Sequence, residues 1–269
     1  MKPPISYYGG KQNLVSTILP LIPEHGQYVE PFFGGGAVFF AKPKSKHEVI
    51  NDNLDYVINF YRVLQSNFEE LQTLIKGTLH SESDHKRAKE VLKDNTSDSI
   101  TKAWAFWVRC NISFSNVMFS GFAFDNSSII SKQVKNKRAY FENHFKKRVE
   151  DIEIFNRDAL EIIKLKDTTE TFFYIDPPYV SSDCGHYKGY TKQDFENLLN
   201  VLVNLKGKFL LSSYPEELLL IYREKYGWSV KDLVQTISAG KNINKLKTEC
   251  LTFNYSLEEQ LNFFDELEI

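Results

Sequence analysis

The sequence predicts an α/β protein: an open sheet with helices packed on it, interrupted by a mostly helical, basic insertion. Two observations predict it. Short runs rich in apolar, aromatic and β-branched residues recur between helical patterns, at 27–29, 47–50, 152–155, 171–175 and 208–212. Between about residue 59 and residue 150 that rhythm stops, and helix-spaced apolar positions give way to a lysine- and arginine-rich stretch. The chain has 269 residues, 42% of them hydrophobic and 25% charged, so it is long enough to bury a sizeable core. The sequence contains no internal repeat.

Taken in order, Ser6-Tyr7-Tyr8-Gly9-Gly10-Lys11 is a turn that leads into a helical pattern with Leu14, Ile18 and Leu21 on one face. Its glycines allow close approach of backbone to a ligand, and its lysine offers charge to a carboxylate or phosphate. The spacing is not that of a P-loop. The first strand, Gln27-Tyr28-Val29, runs into Glu30-Pro31-Phe32-Phe33-Gly34-Gly35-Gly36, a glycine-rich turn before a helix start. This order cradles nucleotide-like cofactors. Phe39 occupies the place of the third fingerprint glycine, which disfavours a nicotinamide or flavin dinucleotide. The second strand, His47-Glu48-Val49-Ile50, ends in Asn51-Asp52-Asn53. Asp52, 18 residues after Gly34, is placed to bind ribose hydroxyls or to cap the helix that begins at Leu54; different atoms serve each purpose.

From Leu54 to about Ile112 the pattern is helical, with a start signal at Ser81-Glu82-Ser83-Asp84 and core residues Ala103, Trp104 and Trp107. Residues 113–136 lack clear periodicity. The basic stretch holds Lys132, Lys135, Lys137, Arg138, Lys146, Lys147 and Arg148, interleaved or flanked by Phe114, Phe119, Phe122, Phe124 and Tyr140. That composition suits a surface that contacts phosphates and stacks on bases, although a charge run is more often a solvated face. A strand at 152–155 follows, with Asn156-Arg157-Asp158-Ala159 as the turn into a short helix. Later elements are a helix from a capping start at Thr191, a strand at 208–212, a helix over Glu216 to Tyr226, and two strands around the polar loop at 238–242.

The most informative stretch is Asp176-Pro177-Pro178-Tyr179, which closes the buried-strand pattern Thr171-Phe172-Phe173-Tyr174-Ile175. Two prolines cannot continue a sheet and push the residues before them to extended conformations. The loop is therefore stiff, and it presents a carboxylate, carbonyls and a ring at a strand's carboxyl edge. A carboxylate plus a carbonyl accepts both hydrogens of an exocyclic amine while the ring stacks on the base that carries it.

A net charge of −2 does not advertise a nucleic-acid binder, but binding depends on where charge sits. Cys110, Cys184 and Cys250 fall at no metal-ligand or paired spacing, which fits free thiols in a reducing, cytoplasmic setting. No apolar signal core follows Met1-Lys2-Pro3-Pro4, and no stretch has the length of a membrane span.

In combination and order, Tyr7-Tyr8-Gly9-Gly10-Lys11, Glu30 to Gly36, Asn51-Asp52 and Asp176 to Tyr179 resemble the Dam-like (DPPY-type) adenine-N6 DNA methyltransferases over nearly the whole chain. The resemblance implies a Rossmann-like methyltransferase sheet with helices on both faces, formed by residues 1–58 and 151–269. It also implies S-adenosylmethionine as donor, S-adenosylhomocysteine as product, and residues 59–150 as a target-recognition insertion for double-stranded DNA. Carried across, Tyr7 and Lys11 would hold the methionine part of the cofactor, with Phe32, Gly34 and Gly36 beneath it. Asp52 would bind its ribose, Asp158 would lie near its adenine, and Asp176, Pro177, Pro178 and Tyr179 would receive the flipped target adenine, Asp176 also bordering the cofactor. No metal is required. Members of the family that read GATC carry an aromatic-Asn-Gly-Leu segment where this chain has Asn111-Ile112-Ser113-Phe114-Ser115-Asn116, so no recognition sequence is assigned. A cognate restriction endonuclease is the candidate partner, and a monomer or weak dimer the expected state. Cytosine-N4 methylation and a catalytically silent DNA-binding module are the competing readings.

Overall fold

The computed structural model describes residues 1–180, 189–237 and 245–257. Its strands are β1 (Gln27–Glu30), β2 (His47–Asn51), β3 (Glu153–Phe155), β4 (Thr171–Ile175), β5 (Lys208–Ser213), β6 (Ser229–Ile237) and β7 (Lys245–Phe253). They form one sheet in the order β3-β2-β1-β4-β5-β7-β6. The first five are parallel, and β7 runs antiparallel to both β5 and β6. Each expected strand is present within a few residues of its sequence bounds; the polar loop at 238–242 and Cys184 lie outside the described residues. Cys110 and Cys250 are free and buried.

The helices are α1 (Val15–Ile18), α2 (Ala37–Ala41), α3 (Asp55–Ser66), α4 (Phe68–Gly77), α5 (Glu82–Lys93), α6 (Ser99–Ile112), α7 (Ile129–Tyr140), α8 (His144–Val149), α9 (Ala159–Lys166), α10 (Lys192–Leu202) and α11 (Glu217–Tyr226). Side chains alternate across a strand, so each central strand feeds both faces. Phe172 and Tyr174 of β4 pack into the core on the α2–α6 side, and Phe173 and Ile175 into the core with α9, α10 and α11. All five residues of β4 are buried, as its aromatic run requires. The sequence caps form as expected: Ser81 accepts from the Asp84 amide, and Thr191 and Asp194 make a reciprocal capping box.

The inserted helices lie between β2 and β3, and they share one hydrophobic core with the sheet. Tyr28, Ile50 and Phe172 belong to the same cluster as Phe60, Leu71, Trp104 and Phe141. A boundary after residue 58 therefore falls inside α3, whose Val57, Phe60 and Tyr61 are all buried. Within the aperiodic 113–136 region the structure adds α7. That helix buries only Val134, so it leaves no apolar stripe in the sequence.

Candidate active site at the carboxyl edge of the sheet

The strand order reverses between β1 and β4, and in open α/β sheets the crevice outside that reversal is where ligands bind. The glycine turn leaves β1 on one side of it, and the Asp176 loop leaves β4 on the other. Phe33 N–H donates to Asn51 O (2.9 Å) and Gly36 N–H to Phe33 O (2.8 Å), which closes the turn. Gly34 (φ +48°) and Gly36 (φ +64°) are left-handed. A Cβ at Gly36 would stand 2.4 Å from the Phe33 ring, and one at Gly34 would stand 2.9 Å from the ring of Tyr7, which lies against the turn. The cradle is thus shaped by backbone, and Tyr7 joins the N-terminal turn to it.

Lys11 is buried, and its Nζ donates to both oxygens of Asp176 at 2.6 and 2.8 Å and to Gly9 O at 3.1 Å. The lysine expected at the cofactor's methionine end is therefore also the counter-ion of the carboxylate that follows β4. Burial pushes the Asp176 carboxyl up to about 6, while Lys11 acts to lower it and Glu249 to raise it. Burial acts to lower the Lys11 ammonium, but its two carboxylate neighbours, Asp176 and Glu249, hold it above the ordinary lysine value. Lys11 Nζ also lies 4.9 Å from the centre of the Tyr179 ring. One pocket collects these groups: Tyr7 to Lys11, Glu30, Phe32 to Val38, Tyr174 and Asp176 to Tyr179 line it.

Three participants escape a reading of motifs. Glu249 of β7 is buried; its Oε1 accepts hydrogen bonds from the Tyr179 hydroxyl and from Ser212 Oγ (2.7 Å), and lies 3.5 Å from Lys11 Nζ. Because β7 is antiparallel to β5, this part of β7 reaches the carboxyl edge. A lone acid in an apolar strand is the only sequence signal, and strand direction was not legible. Glu30, the third, stands in the glycine-turn motif without an assigned role; it accepts a hydrogen bond from Tyr28 Oη, and burial raises its carboxyl to about 8, which favours its neutral form at pH 7.

A second pocket adjoins the first through Phe32 and Pro178, and Asp52, Asn53, Asp158, Leu160, Tyr190 and Asp194 border it. Asp52 does not cap α3, whose N-cap Leu54 has no side-chain cap; instead Oδ1 accepts from Leu54 N–H (2.9 Å) ahead of the helix, and Oδ2 accepts from Gly34 N–H (2.8 Å). Burial raises its carboxyl to about 6, against the pull of these amides. Each oxygen keeps a second lone pair for a ligand hydroxyl. Asp158 Oδ1 caps α9 through Leu160 N–H (2.8 Å). The two predicted cofactor acids thus share a pocket.

The sequence profile of the D12 class N6 adenine-specific DNA methyltransferases matches residues 7–237. The chain belongs to that family. It is 27% identical over 216 residues to the type II methyltransferase M1.LlaDCHI of Lactococcus lactis subsp. cremoris, covering 72% of each chain. To the type II methyltransferase M.MjaIII of Methanocaldococcus jannaschii it is 26% identical over 220 residues, covering 73% of this chain and 76% of that one. Among solved structures, a SAM-dependent methyltransferase from Agrobacterium tumefaciens overlays 90% of this chain and 59% of its own, with TM-score 0.37 and 11% identity.

As a D12-class enzyme the protein transfers a methyl group from S-adenosylmethionine to adenine N6 in DNA. The residues present fit that donor. The glycine cradle admits no Cβ, the paired Lys11 and Asp176 match a zwitterionic end, and acids border the adjoining pocket.

The basic stretch is divided. Lys132 and Lys135 are exposed on α7. Lys137 donates to Asn111 O (3.3 Å), and burial lowers its ammonium to about 8. Arg138 donates to Thr78 O. Lys146 pairs with Glu69 at 2.7 Å, and Arg148 is buried against Glu48 and Phe39 O. Glu48 is the second residue of β2, so α8, with Lys146 and Lys147, docks at the sheet's amino end. Asp176 follows the carboxyl end of β4. Of the six predicted DNA-contacting residues, Lys132, Lys135 and Lys147 are exposed, Lys137 and Arg138 are half-buried, and Lys146 is ion-paired. Among the described residues no helix is long and apolar enough to cross a membrane.

Proposed function

We propose that the Asp176-Pro177-Pro178-Tyr179 loop receives an adenine extruded from double-stranded DNA, with the cofactor lying across the two adjoining pockets. The observation that carries this reading is the pair of buried Lys11 and half-buried Asp176, set between the glycine cradle and the Tyr179 ring. When bound, S-adenosylmethionine supplies a methyl group that needs no further activation. Asp176 and the Pro177 carbonyl accept hydrogen bonds from the two N6 hydrogens, which favours a tetrahedral, nucleophilic nitrogen. A carboxylate has about four lone-pair sites, so Asp176 accepts from both Lys11 and N6. Tyr179 stacks on the base, worth on the order of 1–3 kcal/mol, against a flipping cost of a few kcal/mol. Holding amine and methyl in line supplies most of the acceleration. As N6 gains its methyl it loses one proton.

Lys11 and Tyr7 hold the methionine end, Phe32, Gly34 and Gly36 the middle, and Asp52 and Asp158 the adenosine end. The helices between β2 and β3 form the target-recognition part, and Lys132 and Lys135 are its proposed phosphate contacts. The type II names of two relatives support a role beside a cognate restriction endonuclease; the cytoplasmic setting and the monomer or weak dimer are part of the same proposal.

The test is tritiated-methyl transfer to mixed-sequence DNA by the wild type and Asp176→Ala, with digestion of the product and mass spectrometry. N6-methyladenine from the wild type is expected, with a loss of at least about 100-fold in Asp176→Ala and DNA affinity largely retained. Wild-type turnover in the variant would remove Asp176 from the chemistry.

A further inference from the structure

We propose that Glu249 is a positioning residue for methyl transfer, fixing the ring of Tyr179 and the ammonium of Lys11 behind the adenine pocket. This rests on the reading of Asp176 and Tyr179 given above. Glu249 does not line the pocket, so it acts through the groups that do.

One buried carboxylate oxygen gathers three donors from three segments: Tyr179 Oη from the loop after β4, Ser212 Oγ from β5, and Lys11 Nζ, 3.5 Å away, from the N-terminal turn. A ring held only by its faces still rotates and slides. A ring held at Oη by a carboxylate on the neighbouring strand has its plane set relative to the sheet. Hydrogen bonds to a charged acceptor are about twice as strong as neutral ones, and removing the acceptor leaves buried donors unpaired. Tyr179 also contacts the Tyr214 ring, with centroids 4.3 Å apart, so its face is braced as well as its tip.

The second effect is electrostatic. Asp176 is faced by Lys11 from the N-terminal turn, Glu249 from β7, Glu30 from β1, Tyr174 of β4 and Tyr179 of its own loop. Burial favours the neutral form of Glu30 at pH 7. Lys11 is thus shared between two carboxylates, and Glu249 draws on the cation that would otherwise serve Asp176 alone. The charge of Glu249 makes Asp176 a better proton acceptor, since it raises the Asp176 carboxyl.

The experiment compares Glu249→Gln, Tyr179→Phe and Asp176→Asn with the wild type by turnover on mixed-sequence DNA, the pH profile of kcat, and S-adenosylmethionine calorimetry. Thermal unfolding reports on folding. Glu249→Gln is expected to stay folded and to bind cofactor within a few-fold of wild type. Its kcat should fall by about tenfold, and the acid limb of its profile should move to lower pH. A fall in kcat with the acid limb unmoved marks Glu249 as structural support only and overturns the proposal. Wild-type kcat in Glu249→Gln, with Asp176→Asn inactive, also overturns it while the loop reading stands. Turnover in Asp176→Asn overturns the loop reading and this one with it. Should Glu249→Gln not fold, Tyr179→Phe removes the same hydrogen bond from the other side. Lost kcat in that folded variant supports the proposal, and wild-type kcat and KM overturn it.

Discussion

The carboxyl edge of the sheet and the inserted helices both hold buried charge, but they use it differently. At the edge, Lys11, Asp176 and Asp52 come from separate segments and line two adjoining pockets, with Glu249 behind Lys11. In the insertion the buried guanidinium of Arg109 is spent on protein alone: Nε donates to Met118 O (2.6 Å), Nη2 to Ser120 O (2.7 Å), and Nη1 lies 3.0 Å from His85 Nδ1. It thereby pins the 113–122 loop, which has left-handed Ser115 and Asn116 and closes at the Ser113–Phe122 bridge. Phe114 and Phe124 stand out from this region at 66% and 73% exposure. Charge at the edge is arranged for chemistry, whereas charge in the insertion is arranged to hold a surface in shape.

Two substitutions separate these uses, and the larger effect belongs to the edge. Gly36→Val places a Cβ 2.4 Å from the Phe33 ring and a β-branched residue at φ +64°. Strain and overpacking together should cost about 3–5 kcal/mol. Denaturant unfolding reads the stability, and calorimetry should show cofactor binding lost. Arg109→Leu should cost about 2–4 kcal/mol, because one buried and one half-buried carbonyl lose their donor. Cofactor affinity in that variant should remain near wild type while DNA affinity falls. A parallel loss of both ligands in Arg109→Leu would mean that the two regions are one cooperative unit.

The same contrast explains what was readable in the sequence. The five parallel strands, the glycine turn and the Asp176 loop were legible because each is a local signal: an apolar run, a left-handed glycine, a proline stop. Glu249 was not, since its place depends on β7 returning antiparallel beside β5. Arg148 and Lys137 counted as surface charge in the sequence and are buried or half-buried in the fold. Composition gives the sign of a charge but not which end of the sheet its helix docks against. The expected boundary after residue 58 falls inside α3 for a related reason. An insertion that shares its core with the host leaves no break in hydrophobic pattern.

Opposite pH dependence sharpens the comparison further. Glu30 moves from an ordinary 4.5 to about 8 through burial, so above pH 4.5 the unfolded chain releases this proton and the folded chain does not. Stability held below pH 4.5 is therefore lost as pH rises to about 8, at up to about 1.4 kcal/mol per pH unit. His85 in the insertion is lowered from 6.5 to about 4, first by burial and then by Arg109. Its contribution is present above pH 6.5 and is lost as pH falls through 4. Glu30→Gln should flatten the decline in unfolding free energy between pH 6.5 and 8. Hydrogen exchange should show the 113–122 loop opening first on acidification, an effect weakened in His85→Gln.

The smallest effects lie at the surface, and they decide which lysines meet DNA. Lys132 and Lys135 are exposed on α7, and each phosphate contact contributes a counterion-release term of about 0.9 to the salt slope. Lys132→Ala and Lys135→Ala should each weaken binding a few-fold and reduce the slope of log affinity against log salt by roughly one. Lys146 on α8 already pairs with Glu69, and a solvent-screened pair of this kind contributes little. Lys146→Ala should leave DNA affinity and its salt slope unchanged. An equal slope change in Lys146→Ala would carry the bound duplex to the amino end of the sheet, away from Asp176. On the proposed reading the target base has to reach that carboxylate, so a slope change confined to the α7 lysines is the expected outcome.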